Sequence, residues 1–318
     1  MSSTDQRDEF KNRLSSFLFQ EGELEVKKIS VIKPYVCYLK TVENEALILK
    51  GHRIKENVEQ QWEFLNALAD SNCVGFTRYP NGRKFITRKN YHWTLAPYIK
   101  GEKLNYNFPQ DRTKAVRALK SFHKYARNIV VSRPLSKDIF YIRWNKRLLS
   151  FKKTEYLFNE NGFENLYKDI VQTTVVQLKL AMQFPWKRYE YEARRKGIWV
   201  HGDVASHNFI KNKSTYLIDF DLVHSTPQIH DYIQLGQRYL PYLEWSLDDL
   251  LSYDMVQDSE KQIWLQTIMI PSDVLREWLH YLADNRTITV FEYLSQLEES
   301  WEKRRIFLKN TKLMLKLS

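Results

Sequence analysis

The most informative part of the sequence is residues 198–221, where short apolar runs alternate with polar residues. It reads Ile198-Trp199-Val200-His201-Gly202-Asp203-Val204-Ala205-Ser206-His207-Asn208-Phe209-Ile210, then a polar turn at residues 211–215, then Tyr216-Leu217-Ile218-Asp219-Phe220-Asp221. The apolar runs on either side of the polar turn predict a β-hairpin. Asn208 enters this hairpin and Asp219 leaves it, and residues at the open end of paired strands lie about 5 Å apart. An amide oxygen and a carboxylate are therefore expected at the same point.

Oxygen ligands that converge in this way suit Mg²⁺, which takes one or two carboxylates and completes its shell with phosphate oxygens and water. Asp203 lies five residues before Asn208, on a loop opened by Gly202, so it is close to the predicted metal without being forced to bind it. A carboxylate beside a phosphate-bound metal can accept the proton of an attacking hydroxyl. The spacing places Asp203 where such a carboxylate would lie.

The two ends of the chain have different patterns. Before about Tyr98, β-rich runs at 28–32, 36–39, 46–50 and 92–98 surround one amphipathic helix at 55–70. Beyond Gly101 the periodicity is helical, with segments at 112–127 and 163–183 and a last helix from about 290 to 315. We expect an α+β, bilobal fold. Its small β-rich N-lobe with one helix would span residues 1–97, and its larger, mainly α-helical C-lobe residues 98–318.

Composition narrows the class of protein without choosing a function. The 318 residues are 43% hydrophobic and 27% charged, which is typical of a globular chain. No apolar run approaches the roughly 18 residues of a membrane span, and the polar N-terminus lacks a signal-peptide pattern, so no membrane association and a cytoplasmic location are expected. Cys37 and Cys73 show no metal-ligand spacing. The net charge of +11 suits a nucleotide, an anionic surface or a nucleic acid.

The pattern His201-Gly202-Asp203-x-x-x-x-Asn208, followed by Ile218-Asp219-Phe220-Asp221, resembles the catalytic and metal-binding motifs of the aminoglycoside phosphotransferase and choline kinase superfamily. This is the small-molecule branch of the protein-kinase-like fold. The resemblance implies an ATP- and Mg²⁺-dependent phosphotransferase that acts on a hydroxyl of a small-molecule acceptor. It makes Asp203 the catalytic base, Asn208, Asp219 and Asp221 the metal ligands, and His201 a scaffold for the loop.

The same resemblance assigns residues to the nucleotide. Lys50, which ends the third strand, matches the lysine that binds the α- and β-phosphates. Glu59, on the following helix, is chosen as the partner of Lys50 because it lies nearest the apolar stripe of that helix. Pro97 and Tyr98, at the hinge, are assigned to the nucleotide as well.

Finer features are similar to one subgroup, the bacterial spore-coat kinase-like proteins of the CotS type. These features are the hinge segment 93–101, the segment 119–123, the strand 216–221 and Asp231, which opens the next helix. The resemblance implies spore-coat proteins as a further class of partner and the spore coat as an alternative location.

Two departures from the superfamily pattern leave a second function open. The turn at residues 32–37, which should cover the phosphates, contains no glycine, and close approach of backbone N–H groups to phosphate is harder without one. The Lys50–Glu59 pair is the second departure. The alternative is a catalytically weak or inactive kinase-like structural protein of the spore coat.

Other charged segments are read as solvated surface. The acidic segment 244–250 has a functional alternative, an acceptor pocket for a cationic substrate. The basic runs, among them Arg194-Arg195-Lys196 and Lys303-Arg304-Arg305, have aromatic neighbours, as a nucleic-acid surface would. No nucleic-acid motif accompanies them, so RNA binding is a third alternative and no nucleic-acid partner is predicted.

Overall fold

The structure is a computed structural model that describes residues 3–70, 72–283 and 288–317. The chain forms two compact units. The first contains the described residues up to Leu104 together with Arg117–Leu135 and Ser206–His224. The second contains Asn105–Val116, Ser136–Ala205 and the described residues from Ser225 onward. The division of the chain into two continuous lobes, residues 1–97 and 98–318, stays a prediction.

The strands, in chain order, are β1 (Val26–Lys33), β2 (Val36–Thr41), β3 (Ala46–His52), β4 (Ile86–Arg88), β5 (Tyr91–Pro97), β6 (Glu102–Lys103), β7 (Trp199–Val200), β8 (Phe209–Lys211), β9 (Thr215–Leu217) and β10 (His224–Ser225). The helices are α1 (Ser3–Gly22), α2 (Lys55–Ala67), α3 (Pro109–Tyr125), α4 (Phe140–Lys152), α5 (Glu155–Glu160), α6 (Glu164–Ala181), α7 (Trp186–Arg195), α8 (Ile229–Tyr239), α9 (Leu247–Leu251), α10 (Asp258–Ile268), α11 (Ser272–Ala283) and α12 (Val290–Leu317).

An antiparallel five-stranded sheet, in the order β1-β2-β3-β5-β4, organises the first unit. Side chains alternate across β3, so Leu47 and Leu49 are buried in a core with Leu14 and Leu18 of α1. The same alternation sends Ile48 and Lys50 to the opposite face of the sheet. That second face lines a cavity.

The predicted hairpin is formed by β8 and β9, with Phe209 paired to Leu217. Strand β6 extends it to a three-stranded sheet. Leu217 is also bonded to a second segment: its N–H donates to the Asn72 carbonyl at 2.8 Å, and its carbonyl accepts from the Val74 N–H at 2.9 Å. The open end of the hairpin is thereby fixed within the first unit.

Helices make up most of the second unit. Helix α8 is buried along most of its length, and its Gly236 allows the Ile268 side chain of α10 to approach closely. The Trp264 indole N–H donates to the Tyr232 carbonyl at 3.0 Å, which ties α10 to α8. None of the described helices combines the length and apolar character that a membrane span requires.

The mixed α+β class, with a β-sheet part and a helical part, is confirmed. The helix predicted at residues 55–70 is α2, and the last predicted helix is α12. One element was not predicted: α1 precedes the sheet, so the sheet has two helices before β4 rather than one. The sequence pattern that indicates α1 is the helical spacing of Leu14, Phe17 and Leu18, which are all buried.

Gly101 lies where two backbones approach each other. A Cβ built at this residue would lie 2.5 Å from the Lys211 carbonyl oxygen and 2.7 Å from the Ile210 side chain. By contrast, a Cβ at Gly75 would meet only Leu65, at 3.8 Å.

We therefore predict that Gly101→Ala lowers the free energy of unfolding by about 1–3 kcal/mol, because backbone must move to admit the methyl group. The matched variant Gly75→Ala should be neutral or slightly stabilising. Chemical denaturation of the two variants measures the difference. Equal stabilities would contradict the close approach at Gly101.

Candidate functional site

A cavity of about 270 Å³ lies within the first unit. Its apolar lining comes from the sheet and the hinge and includes Val36, Ile48, Ala96, Pro97 and Tyr98. Its polar lining contains four of the charged or polar residues predicted to bind nucleotide or metal: Lys50, Asn208, Asp219 and Asp221. Glu59, which was also predicted, does not line the cavity. An elongated ligand with a flat apolar end and a charged end would match this division.

Lys50 is the electrostatic centre of the cavity. Its Nζ lies 2.6 Å from Asp219 Oδ1 and 2.7 Å from Asp221 Oδ2. Burial by itself lowers the pKa of Lys50, but the charges of the two carboxylates outweigh burial and raise the pKa above its ordinary value. Lys50 is therefore a fully charged cation beside two carboxylates.

His52 lies on the same strand, two residues beyond Lys50, and is neutral. Its Nε2 lies 3.0 Å from the Thr94 hydroxyl, which in turn donates to the Lys50 carbonyl, so Nε2 carries the proton. Burial lowers the pKa of His52 to about 4, although Asp221 lies 3.5 Å from its Nδ1. The carboxylate of Asp221 therefore gains no cationic partner from His52 at neutral pH.

The hairpin places Asn208 and Asp219 as predicted. Asn208 is buried immediately before β8, and its carbonyl accepts a hydrogen bond from the Ile218 N–H at 3.0 Å. Asp219 follows with a φ of 65°, a left-handed conformation that aspartate tolerates better than most residues. This kink takes the chain out of the strand direction at the cavity wall.

The oxygen donors at this wall fit a magnesium ion. Two carboxylates and one amide are the kind and number of protein ligands that Mg²⁺ accepts when phosphate supplies the rest. Asp221 Oδ1 is buried and makes no hydrogen bond to any described residue, so it has capacity for a ligand. No group of three or more His, Cys, Asp or Glu residues with metal-binding geometry exists among the described residues.

Glu59 does not pair with Lys50 in the described contacts. Its carboxylate lies 3.1 Å from Lys55 on the same helix, with about half of the side chain exposed (47%). Gln61 reaches the cavity instead; it is buried, and its Nε2 has no hydrogen-bond partner among the described residues. Two helical positions correspond to about 200° of rotation, so Glu59 and Gln61 point in nearly opposite directions. The assignment of Glu59 to the nucleotide stays a prediction.

In the second unit, a buried carboxylate holds the loop that contains Asp203. Asp231 of α8 accepts hydrogen bonds from the backbone N–H groups of His201 (2.8 Å) and Gly202 (2.9 Å). Gly202 has a φ of 83°, which glycine adopts without strain. The Asp203 N–H donates to Nδ1 of the buried His201 at 3.3 Å, which gives His201 the scaffolding position expected for it.

The face of α8 that carries Asp231 also carries Gln234 and Arg238, at spacings of three and seven residues. The Gln234 amide donates to the Gly202 carbonyl at 3.2 Å. Arg238 Nη2 donates to Asp203 Oδ1 at 2.8 Å. Sequence reasoning missed Gln234 and Arg238, although their spacing from Asp231 on a helix was the available signal.

Comparison with known proteins supports the fold. No protein-family model matches the chain, and no curated protein does. Solved structures do match it. An aminoglycoside phosphotransferase from Alicyclobacillus acidocaldarius is 14% identical, with 94% of this chain and 95% of that chain covered and a TM-score of 0.70.

Two further solved structures match as well. Spectinomycin phosphotransferase APH(9)-Ia, solved with ADP and spectinomycin, is 12% identical over 92% of this chain and 93% of that chain, with a TM-score of 0.60. APH(2")-IIIa, solved with GDP and kanamycin, is 12% identical over 95% and 98%, with a TM-score of 0.57. The chain has the kinase-like fold of the aminoglycoside phosphotransferases.

Asp231 gives a direct test of how the loop is held. Replacing it with Asn substitutes a donor for one of its two accepting oxygens and leaves one backbone N–H of the loop without an acceptor. We predict that Asp231→Asn lowers the free energy of unfolding by about 1–3 kcal/mol.

The control is Asp258→Asn. Asp258 is almost fully exposed (96%) and forms an ion pair with Lys261, so its loss should leave stability nearly unchanged. Urea denaturation of both variants makes the comparison. A silent Asp231→Asn change would show that α8 does not support the loop.

Proposed function

We propose that the protein is an ATP- and Mg²⁺-dependent phosphotransferase that phosphorylates a hydroxyl of a small molecule. The observation that carries the proposal is the cavity wall on which Lys50, Asn208, Asp219 and Asp221 meet. One cation, two carboxylates and an amide beside an apolar slot are the groups that a metal-bound nucleoside triphosphate needs. The likeness of the fold to phosphotransferases solved with ADP or GDP agrees with it.

Each of these side chains has a role in the proposed site. The apolar lining at Val36, Ile48 and Ala96 would take the nucleobase, with Pro97 and Tyr98 at the hinge. Lys50 would bind phosphate oxygens. The neutral Gln61 offers an unused amide N–H to the same ligand.

Asn208, Asp219 and Asp221 would hold Mg²⁺. When bound, the ion neutralises the charge of the phosphates. Asp219 and Asp221 are engaged by Lys50 in this structure, so nucleotide binding requires Lys50 to move its donors from carboxylate to phosphate. Both kinds of contact are charge-assisted hydrogen bonds, so the exchange is close to balanced.

Asp203 would act as the base. In the reaction, the acceptor oxygen forms a bond to the γ-phosphorus while the bond from that phosphorus to the β,γ-bridging oxygen breaks. The acceptor proton passes to the Asp203 carboxylate, and ADP leaves. Asp203 is about one-third exposed (31%), so an acceptor hydroxyl in solution can reach it.

The turn between β1 and β2 would offer positive charge to phosphate without the usual glycine. Pro34 has a fixed negative φ and Tyr35 has a φ of 63°, the combination of a type II turn. Ile32, Lys33 and Val36 from this turn line the cavity. The side chain of Lys33 would supply part of the positive charge that backbone N–H groups supply in a glycine-rich loop.

The first prediction of this proposal is nucleotide binding. Mg²⁺-ATP at a hundred times its dissociation constant should stabilise the protein by about 2.7 kcal/mol, measured as a shift in thermal unfolding. Lys50→Met should reduce the shift strongly because the phosphates lose their buried cation. Lys28→Met, which removes an exposed lysine from the same sheet, is the matched control and should leave the shift intact.

The second prediction concerns turnover. Asp203→Asn should reduce phosphoryl transfer by at least about a hundredfold, because the amide cannot accept the proton, while the nucleotide-induced shift stays nearly that of the wild type. Transfer of labelled phosphate from ATP measures the first quantity. Undiminished transfer by Asp203→Asn would overturn the assigned base.

The finer resemblance to CotS-type proteins favours a second candidate, a kinase-like structural protein of the spore coat with little activity. The glycine-free turn supports it, because Tyr35 stacks on Tyr91 with ring centroids 4.2 Å apart and so ties the turn to the sheet. A turn held in this way would close poorly on phosphate. Absence of any thermal shift at millimolar Mg²⁺-ATP would favour this candidate over the enzyme.

A further inference from the structure

Arg238 is the charged residue that contacts the proposed base, Asp203, directly. Its Nη2 lies 2.8 Å from Asp203 Oδ1, and this is a one-donor contact rather than a two-donor fork. No second carboxylate pairs with Arg238 among the ion pairs of the described residues. The remaining N–H donors of its planar guanidinium are therefore available to a ligand.

The position of Arg238 suits a ligand from solution. The side chain is one-quarter exposed (25%), close to the 31% exposure of Asp203 beside it. A small molecule that reaches Asp203 with a hydroxyl therefore also meets Arg238. The contact that holds the base also brings a guanidinium to the acceptor.

Further charged residues influence Arg238. Burial lowers the pKa of Arg238 and the charge of Arg276 on α11 lowers it further, whereas the charges of Asp203 and Glu277 raise it. Arg276 in turn acts with burial to lower the pKa of Arg147 on α4, whose Nη1 donates to the Ser272 carbonyl at 3.2 Å. Of the acids in this region, Glu277 pairs with Arg276 and Asp273 with Arg304.

The acidic segment at residues 244–250 does not offset this charge at the base. Glu244 pairs with Lys303 of α12 at 2.7 Å. Asp249 lies in the first turn of α9, and its backbone N–H donates to the Ser246 hydroxyl. Neither residue has a described contact with Asp203 or Arg238.

We infer that the acceptor carries an anionic group, a carboxylate or a phosphate, which Arg238 binds while the acceptor hydroxyl contacts Asp203. The inference rests on the proposed phosphotransferase function. A cationic acceptor such as an aminoglycoside would have to place an ammonium beside the guanidinium of Arg238, and like charges in contact repel. An anion forms charge-assisted hydrogen bonds with the same guanidinium.

Arg238 is thus a specificity-determining residue as well as a positioning residue for Asp203. The anionic group would take donors of Arg238 that do not contact Asp203.

The test uses four acceptors that share one carbon frame: glycerol, glycerate, glycerol 3-phosphate and 3-amino-1,2-propanediol. Their dissociation constants are measured by ligand-observed NMR on the full chain, with and without Mg²⁺ and a non-hydrolysable ATP analogue. We expect at least tenfold tighter binding of an anionic member than of glycerol or the amine. Glycerate and glycerol 3-phosphate distinguish a carboxylate from a phosphate as the recognised group.

Arg238→Gln should abolish the preference for anions, which a merely structural role of Arg238 would not do. Arg188→Gln is the matched control, since it removes the same charge from an exposed arginine (76%) on α7 and should leave the preference unchanged. The inference is overturned by equal binding of all four compounds, by preference for the amine, by no binding of either anion, or by a preference that survives in Arg238→Gln.

Failure of the proposed function can be distinguished from failure of this inference. It would appear as the absence of any nucleotide-induced shift in thermal unfolding. The acceptor titrations in the absence of nucleotide do not depend on that result. A protein that binds nucleotide and prefers the amine would keep the proposed function and lose this inference.

Discussion

The ion pairs of Lys50 with Asp219 and Asp221 are the interaction on which the proposed site depends. They join β3 to the segment after β9, across 169 residues of sequence. A largely buried lysine needs carboxylate partners, and removing either side would leave an uncompensated charge in the cavity wall. The sheet and the hairpin are therefore held in one arrangement by the same groups that a metal-bound nucleotide would use.

This arrangement differs from a lysine paired with a glutamate on the neighbouring helix. Gln61, which is neutral, occupies the part of α2 that faces the cavity, while Glu59 points away to Lys55. Among the described residues, the ionic partners of Lys50 are Asp219 and Asp221. Binding of a nucleotide would redistribute those pairs. In the proposed site, the affinity for nucleotide would then depend on the charges that line the cavity and not on a permanent lysine–glutamate ion pair.

The sequence was sufficient for the fold class and for the local geometry of Asn208 and Asp219, because a hairpin with polar residues at its open end leaves little freedom. It was insufficient wherever the answer depends on the rotation of a helix or on packing between distant segments. Glu59 and Gln61 are two residues apart, and only the packing of Trp62 and Phe64 shows which of them faces the sheet. Arg238 was overlooked because its spacing from Asp231 on a helix points to a role only once its contact with Asp203 is seen.

The proposed function requires the cavity of the first unit to bind a metal-bound nucleotide through Lys50, Asn208 and Asp219. A crystal structure with Mn²⁺ and a non-hydrolysable ATP analogue tests this binding, because anomalous scattering locates the metal. We expect a metal bound by oxygens of Asn208 and Asp219, with Lys50 on phosphate oxygen. Nucleotide outside this cavity, or Lys50 still bound to both carboxylates beside a bound nucleotide, would contradict it.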